Sequence, residues 1–205
     1  MAKIITIAHQ KGGVGKSTLA INLALCFQDQ LSVALVDTDL QGSLYHIRED
    51  FPELVVIGAD QLADIEKLAY DLIIVDTPPY LSGKLPELFQ HSDFILIPTK
   101  AGFFDVMAIR STLALIKEAQ RKVPHIKAGI VLNMVKPRSG ITKDVAELLQ
   151  SMDTPLLKTR VHDRVSIARS SMTAGILKGN DPKAKEELMM LAEEVVEQIS
   201  TEIAM

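Results

Sequence analysis

The chain has 205 residues, 47% of them apolar, with 22 basic and 26 acidic side chains and a formal charge of −4. That length suits one α/β domain with a sizeable core, and the apolar content excludes a disordered polypeptide. The single Cys26 excludes an internal disulfide and any C-x-x-C metal or redox site within one polypeptide, and no apolar run approaches the ~20 residues of a membrane span.

Residues 4–8 read as a first strand. The chain enters it at Lys3 without a signal peptide, so a cytoplasmic protein is expected. Gln10-Lys-Gly-Gly-Val-Gly-Lys-Ser-Thr18 follows directly. Gly15, Lys16 and Ser17 fit the phosphate-loop pattern G-x-x-x-x-G-K-[ST], but Gln10 stands at the first glycine position and Lys11 adds a second lysine. A helix over 17–28 opens at this loop. Backbone N–H groups from Gly12, Gly13, Val14 and Gly15 to Thr18 would wrap phosphates at its N-terminus, where the dipole favours anions. Lys16 would contact the β- and γ-phosphates, the Ser17 hydroxyl would ligate Mg²⁺, and Thr18 would reach the α-phosphate.

Strands follow at 32–37, 55–57, 72–76, 94–98 and 128–132, with a short one near 156–157. Helices are expected at 59–69, 84–91, 104–121, 142–151, 165–173 and 182–199. Val106, Ile109, Leu113 and Ile116 carry helical spacing in the fourth helix, and Leu188, Leu191, Ala192, Val195 and Ile199 carry it in the last. Near-continuous Val/Ile/Leu strands alternating with helices predict a mostly parallel, doubly wound α/β sheet flanked by helices, in a single domain over 1–205. Two strands end in carboxylates, at Asp37-Thr-Asp39-Leu-Gln-Gly42 and at Asp76-Thr-Pro-Pro79. An apolar strand followed by Asp is what support of Mg²⁺ beside the phosphates requires, and strand carboxyl ends are where such sheets bind ligands. Asp37 and Asp39 are the candidates for orienting an attacking water. On spacing alone, Lys11 could be a solvated loop lysine and Asn133 a turn residue.

Lys11-Gly-Gly-Val-Gly-Lys16-Ser-Thr, Asp37-x-Asp39-x-Gln41-Gly42 and Asp76-Thr-Pro-Pro together resemble the deviant-Walker P-loop ATPases of the ParA/MinD group. Gln10 and the Asp-x-Asp-x-Gln-Gly run point to the ParA branch. Similarity continues through Ser92–Pro98 and Val131-Leu-Asn133, so it covers essentially the whole sequence. The lack of a domain before the first strand makes it similar to short plasmid-partition members. His9 in place of Asn and Leu40 in place of Pro depart from the branch pattern without removing a phosphate or metal group.

The resemblance implies ATP/ADP and Mg²⁺ as ligands and a weak basal ATP hydrolase activity. Lys11 would reach across a nucleotide-dependent homodimer to the partner's phosphates. Asp39 would position the water, and Asp37 and Asp76 would support Mg²⁺ alongside Ser17. Asn133 and the main chain of residues 159–162 would read adenine. It further implies partition of plasmid or chromosomal DNA, stimulation by a ParB-type partner, and binding to non-specific nucleoid DNA in the ATP state. The alternative is positioning of another cargo, such as a carboxysome or chemoreceptor cluster. Residues 1–100 carry 7 basic and 13 acidic side chains, against 15 and 13 in 101–205, so the basic face is sought in the second half. Candidates are Lys136, Arg138, Lys158, Arg160, Arg164, Arg169 and Lys178. A MinD-like membrane cycle needs a basic amphipathic C-terminal helix. Here Glu186, Glu187, Glu193, Glu194, Glu197 and Glu202 follow Lys185 with no further Lys or Arg, so no membrane partner is expected. Cys26 alone cannot supply the cysteine pair of an iron–sulfur relative. Lys11 and the Asp-x-Asp-x-Gln-Gly strand end argue against a P-loop biosynthetic ligase.

Overall fold

The computed structural model describes residues 2–39, 43–80, 83, 85–137 and 140–200. Seven parallel strands form one sheet in the order β3-β2-β4-β1-β5-β6-β7. They are β1 Lys3–Ile7, β2 Val33–Asp37, β3 Val55–Gly58, β4 Leu72–Asp76, β5 Phe94–Thr99, β6 Lys127–Val135 and β7 Leu156–His162. The helices are α1 Lys16–Phe27, α2 Ser43–His46, α3 Leu85–Gln90, α4 Phe103–Lys122, α5 Ile141–Gln150, α6 Val165–Arg169 and α7 Pro182–Ser200.

Alternation along the central strands sorts the core into two layers. Ile5, Ile7, Leu35, Ile74 and Leu96 pack with α1 and α7 through Leu19, Leu23, Leu188, Leu191 and Val195. Ile4, Ala8, Ile73, Ile95 and Ile130 face α3, α4 and α5 through Phe89, Val106, Ile109, Ile116 and Leu149. Both faces are thus covered, which is why these strands read as continuous apolar runs. From β1 the chain winds outward to β3, returns at β4, and winds outward the other way to β7. The crevice beside β1 is therefore the switch point of the sheet, and every strand delivers its carboxyl end to one edge.

Several expectations shift. β7 runs from Leu156 to His162, far past the expected dipeptide, because it is an edge strand on which buried Leu157, Thr159 and Val161 alternate with exposed Lys158 and Arg160. Charged residues on the outer face hid it from a search for apolar runs. Its pairing with β6 is irregular, and α7 repairs the irregularity. Glu194 accepts the N–H groups of Lys158 and Thr159 at 2.7 and 2.9 Å, and Glu187 accepts that of His162 at 2.9 Å. Two of the tail carboxylates are thus backbone acceptors. Residues 59–67 form a 3₁₀ helix rather than an α-helix, with a non-helical Asp64 inside it. The helix expected over 165–173 stops at Arg169 and continues as a 3₁₀ turn. Lys84, where the third helix was expected to start, lies outside the described residues.

Asn22, fully buried on α1, ties that turn to the site. Its Nδ2 donates to Thr18 O and Ser170 Oγ, both at 2.7 Å, and its Oδ1 accepts the Ile176 N–H at 2.8 Å.

Candidate nucleotide site

The loop between β1 and α1 sits at the switch point with two glycines in the left-handed region, Gly13 at φ 68° and Gly15 at φ 91°. Gly15 is the N-cap of α1. This end has no hydrogen bond from a capping residue's side group, and no acidic residue lies in the first turn. The first N–H groups of a helix have no intrahelical acceptor. Left uncapped, with the positive end of the dipole behind them, they form a receptor for an anion.

Asn133 braces the loop from β6. Only 3% exposed, it donates from Nδ2 to Val14 O at 2.8 Å, and a Cβ on Gly15 would fall 2.3 Å from that nitrogen. The sequence pattern shows why Gly15 is needed for phosphate contact. Only the structure shows that Asn133 also demands it.

Lys16 is buried, its Nζ 3.4 Å from Lys11 O. Burial lowers the pKa of this ammonium, opposed by the nearby charges of Asp76 and Asp39. A phosphate would restore the lost counter-charge. Ser17 Oγ donates to Asp76 Oδ2 at 2.5 Å, and Asp76 Oδ1 is buried without a hydrogen-bond partner among the described residues. Burial pushes the Asp76 carboxyl up to about 7; Asp37 adds to the rise, and the Ser17 bond and Lys16 oppose it. An orphaned carboxylate oxygen beside a serine hydroxyl at a phosphate loop fits a hydrated Mg²⁺, which keeps most of its waters and takes few protein ligands. Among the described residues no cluster of three or more His, Cys, Asp or Glu forms a metal site of its own.

Asp37 and Asp76 are register partners at the ends of β2 and β4, but they do different work. Asp37 Oδ1 accepts the Asp39 N–H at 3.0 Å, and its Oδ2 accepts the N–H groups of Leu44 and Tyr45 at 2.9 and 3.0 Å. These bonds fix the main chain of Asp39, Leu44 and Tyr45 to Asp37 and leave the carboxylate about one of its roughly four acceptor sites. Gln41 and Gly42 of the same motif, and Leu40, lie outside the described residues.

Lys11 is paired with the start of α4. Its Nζ donates to Asp105 Oδ1 at 2.6 Å, and its N–H donates to His9 Nδ1 at 2.8 Å. His9 is 2% exposed, and burial, reinforced by Lys16, lowers its pKa to about 4. It is thus neutral and an acceptor at Nδ1. In the unfolded state it titrates near ~6.5. Its contribution to stability is complete above that pH and is lost as pH falls toward 4. Asp76, raised rather than lowered, shifts stability the opposite way over much of the same range. A His9→Asn variant separates the two. Relative to the wild type, it should gain about 2 kcal/mol between pH 7.5 and pH 5 in urea unfolding. A difference that is flat with pH would refute the assignment.

Of the proposed basic face, Lys136, Lys158, Arg160, Arg169 and Lys178 are exposed. Arg164 is tied to Glu187 at 2.7 Å and lies 4.0 Å from Asp181, and Lys178 donates to Glu53 at 2.5 Å. Both are committed to ion pairs. Arg138 lies outside the described residues. Sequence reasoning missed Asp105 and His9. A Gly102 N-cap with Asp three residues later was the available signal for the first, and the departure of His9 from the branch pattern was the signal for the second.

An uncapped helix N-terminus, a buried lysine and a serine–aspartate pair at the switch point of a parallel sheet define a nucleotide-binding protein. The CobQ/CobB/MinD/ParA nucleotide-binding domain model matches residues 5–175, and the chain belongs to that family. The Maintenance of carboxysome distribution protein A of Halothiobacillus neapolitanus is 30% identical, covering 94% of this chain and 95% of its own. A plasmid partition protein of Borrelia burgdorferi bound to AMPPNP superposes with a TM-score of 0.74 at 22% identity, covering 98% and 99% of the two chains. The septum site-determining protein MinD of Pyrococcus horikoshii, complexed with Mg-ADP, superposes with a TM-score of 0.71 at 20% identity, covering all of both chains. No described helix is long and apolar enough to cross a membrane.

Proposed function

We propose that the protein is an ATP-dependent dimerising ATPase that positions a cargo on nucleoid DNA. The observation that carries this is the uncapped, Asn133-braced loop with its buried Lys16 and with Ser17 bonded to Asp76, whose other oxygen has no partner among the described residues. Loop N–H groups and Lys16 hold the triphosphate, and Ser17 and Asp76 hold the hydration shell of Mg²⁺. That ion neutralises phosphate charge when bound. Asp39, its main-chain N–H held by Asp37, orients the water. Lys11 supplies a cation to the phosphates of the opposing subunit, where charge develops in the transition state. Asn133 carries a second amide proton beyond its Val14 bond, so it can brace the loop and still meet adenine. Glu187 and Glu194 fix the main chain of residues 158–162 that would complete the base pocket.

In this reading two monomers close around two nucleotides, and hydrolysis is slow until an adaptor of the ParB type stimulates it. The exposed Lys136, Lys158, Arg160 and Arg169 are the DNA contacts, doubled in the dimer. DNA partition is the first cargo. Carboxysome positioning is the second, favoured by the full-length 30% relative. The test is DNA binding in AMPPNP, ADP and no nucleotide, over a salt series. We expect sequence-independent binding with the triphosphate analogue alone, falling steeply with salt. Charge reversal at Lys158 and Arg160 should weaken it at least tenfold. Equal binding in ADP, or none at low salt, would sink the DNA reading.

A further inference from the structure

We propose that Asn22 is a positioning residue that holds the base end of the nucleotide site at a fixed distance from the phosphate end, a role that rests on the reading of Asn133 and the main chain of residues 159–162 as the base pocket. Asn22 lies in the second turn of α1, behind the phosphate loop, and is fully buried. Its Nδ2 donates one proton to Thr18 O and the other to Ser170 Oγ, both at 2.7 Å, and its Oδ1 accepts the Ile176 N–H at 2.8 Å. Ser170, also fully buried, passes its own proton to Ile167 O at 2.7 Å. Both amide protons and the hydroxyl proton are thus spent, and each bond of the chain has a fixed direction. A primary amide this deep in the core costs free energy unless it is fully paired. Here it is paired to the first turn of α1 on one side and to a segment about 150 residues away on the other.

That segment continues from the base end. α6 opens at Val165, just past His162, and Ile167 lies on it. β7 is an edge strand with irregular pairing to β6, so the ladder alone does not fix its place relative to the loop. Asn133 links only β6 to the loop. Glu187 and Glu194 hold β7 from α7, and Asn22 holds the chain beyond it from α1. Gly175 lets the turn after α6 close on α1. Its φ is 87°, and a Cβ there would fall 2.1 Å from Leu25 Cδ1. A nucleoside triphosphate joins two binding ends in one molecule, and capture of the second end depends on how well the first presents it. A rigid link between the two halves of the site raises affinity for the whole nucleotide and does nothing for a ligand that occupies the phosphate end alone.

Isothermal titration calorimetry of ATP and of inorganic tripolyphosphate, each with Mg²⁺, tests this with wild type, Gly175→Ala and Ser170→Ala. Gly175→Ala presses the turn off α1 and leaves Asn22 and Ser170 chemically intact. Ser170→Ala deletes one acceptor and keeps the bonds of Asn22 to Thr18 O and the Ile176 N–H, so it decides the matter if Gly175→Ala folds poorly. We expect wild type to bind ATP more tightly than tripolyphosphate. Ser170→Ala should weaken ATP about five- to tenfold, the scale of one buried hydrogen bond, with tripolyphosphate within about twofold of wild type. Gly175→Ala should give a larger loss of the same kind. A merely structural tie would lower the melting temperature without splitting the two ligands. Equal losses for both ligands, or no loss for either, would overturn the role of Asn22 alone. A wild type that binds tripolyphosphate as tightly as ATP would overturn the base-pocket reading and this inference with it.

Discussion

A Gly15→Ala variant is expected to lose nucleotide affinity by more than about a hundredfold and to melt about 5–10 °C lower, from a combined loss of roughly 2–4 kcal/mol. Two costs add. The backbone at φ 91° is one that an L residue enters only with strain, on the order of 1–2 kcal/mol. The new Cβ would also fall 2.3 Å from Asn133 Nδ2 and break its bond to Val14 O, leaving a buried carbonyl without its donor. The loop would then have to open away from the phosphate. Gly13→Ala is the control. Its φ is 68°, but nothing lies within 4 Å of a Cβ there, so it bears the strain without the collision. Binding of a fluorescent ATP analogue and thermal melts of both variants read the difference. If Gly15→Ala matched Gly13→Ala in both, Asn133 would not be the brace described.

Lys11→Ala should bind ATP within about threefold of wild type, yet lose AMPPNP-dependent dimerisation and about a thousandfold of hydrolysis, the scale of a cation supplied in trans to a transferring phosphate. The variant keeps the loop intact, because the bond to His9 Nδ1 comes from the main chain of residue 11. It gives up the part-buried pair with Asp105, worth on the order of 1 kcal/mol of stability. A normal melting temperature with absent dimerisation separates a cross-subunit role from a structural one. An intact dimer by sedimentation would refute it.

Much of the site was legible because it is local in sequence. A strand, a glycine-rich turn and a helix start are contiguous, and the ligand chemistry sits on backbone groups whose positions follow from that order. Asp37 and Asp76 were legible too, since an apolar run ending in Asp places a carboxylate at the ligand edge whatever the strand order. Their division of labour was not. Both end parallel strands in the same register, and only the fold of residues 43–46 back onto Asp37 spends its oxygens on Leu44 and Tyr45 while leaving Asp76 Oδ1 without a partner. β7 was missed for a related reason: its exposed alternate residues break the apolar run, while Glu194, more than 30 residues on, satisfies its backbone.

The sequence by itself determined the fold class, the phosphate cradle and the presence of a second loop lysine, because propensity, periodicity and the loop motif act over short spans. Only the tertiary structure decided what that lysine touches. Asp105 lies 94 residues from Lys11, and the two meet because β5, which leads into α4, is paired directly beside β1. Partners set by strand neighbours rather than sequence neighbours leave no local pattern. That is why the bond from Asn133 beneath Gly15 and the place of Asp105 beside Lys11 emerged only when the sheet order was known.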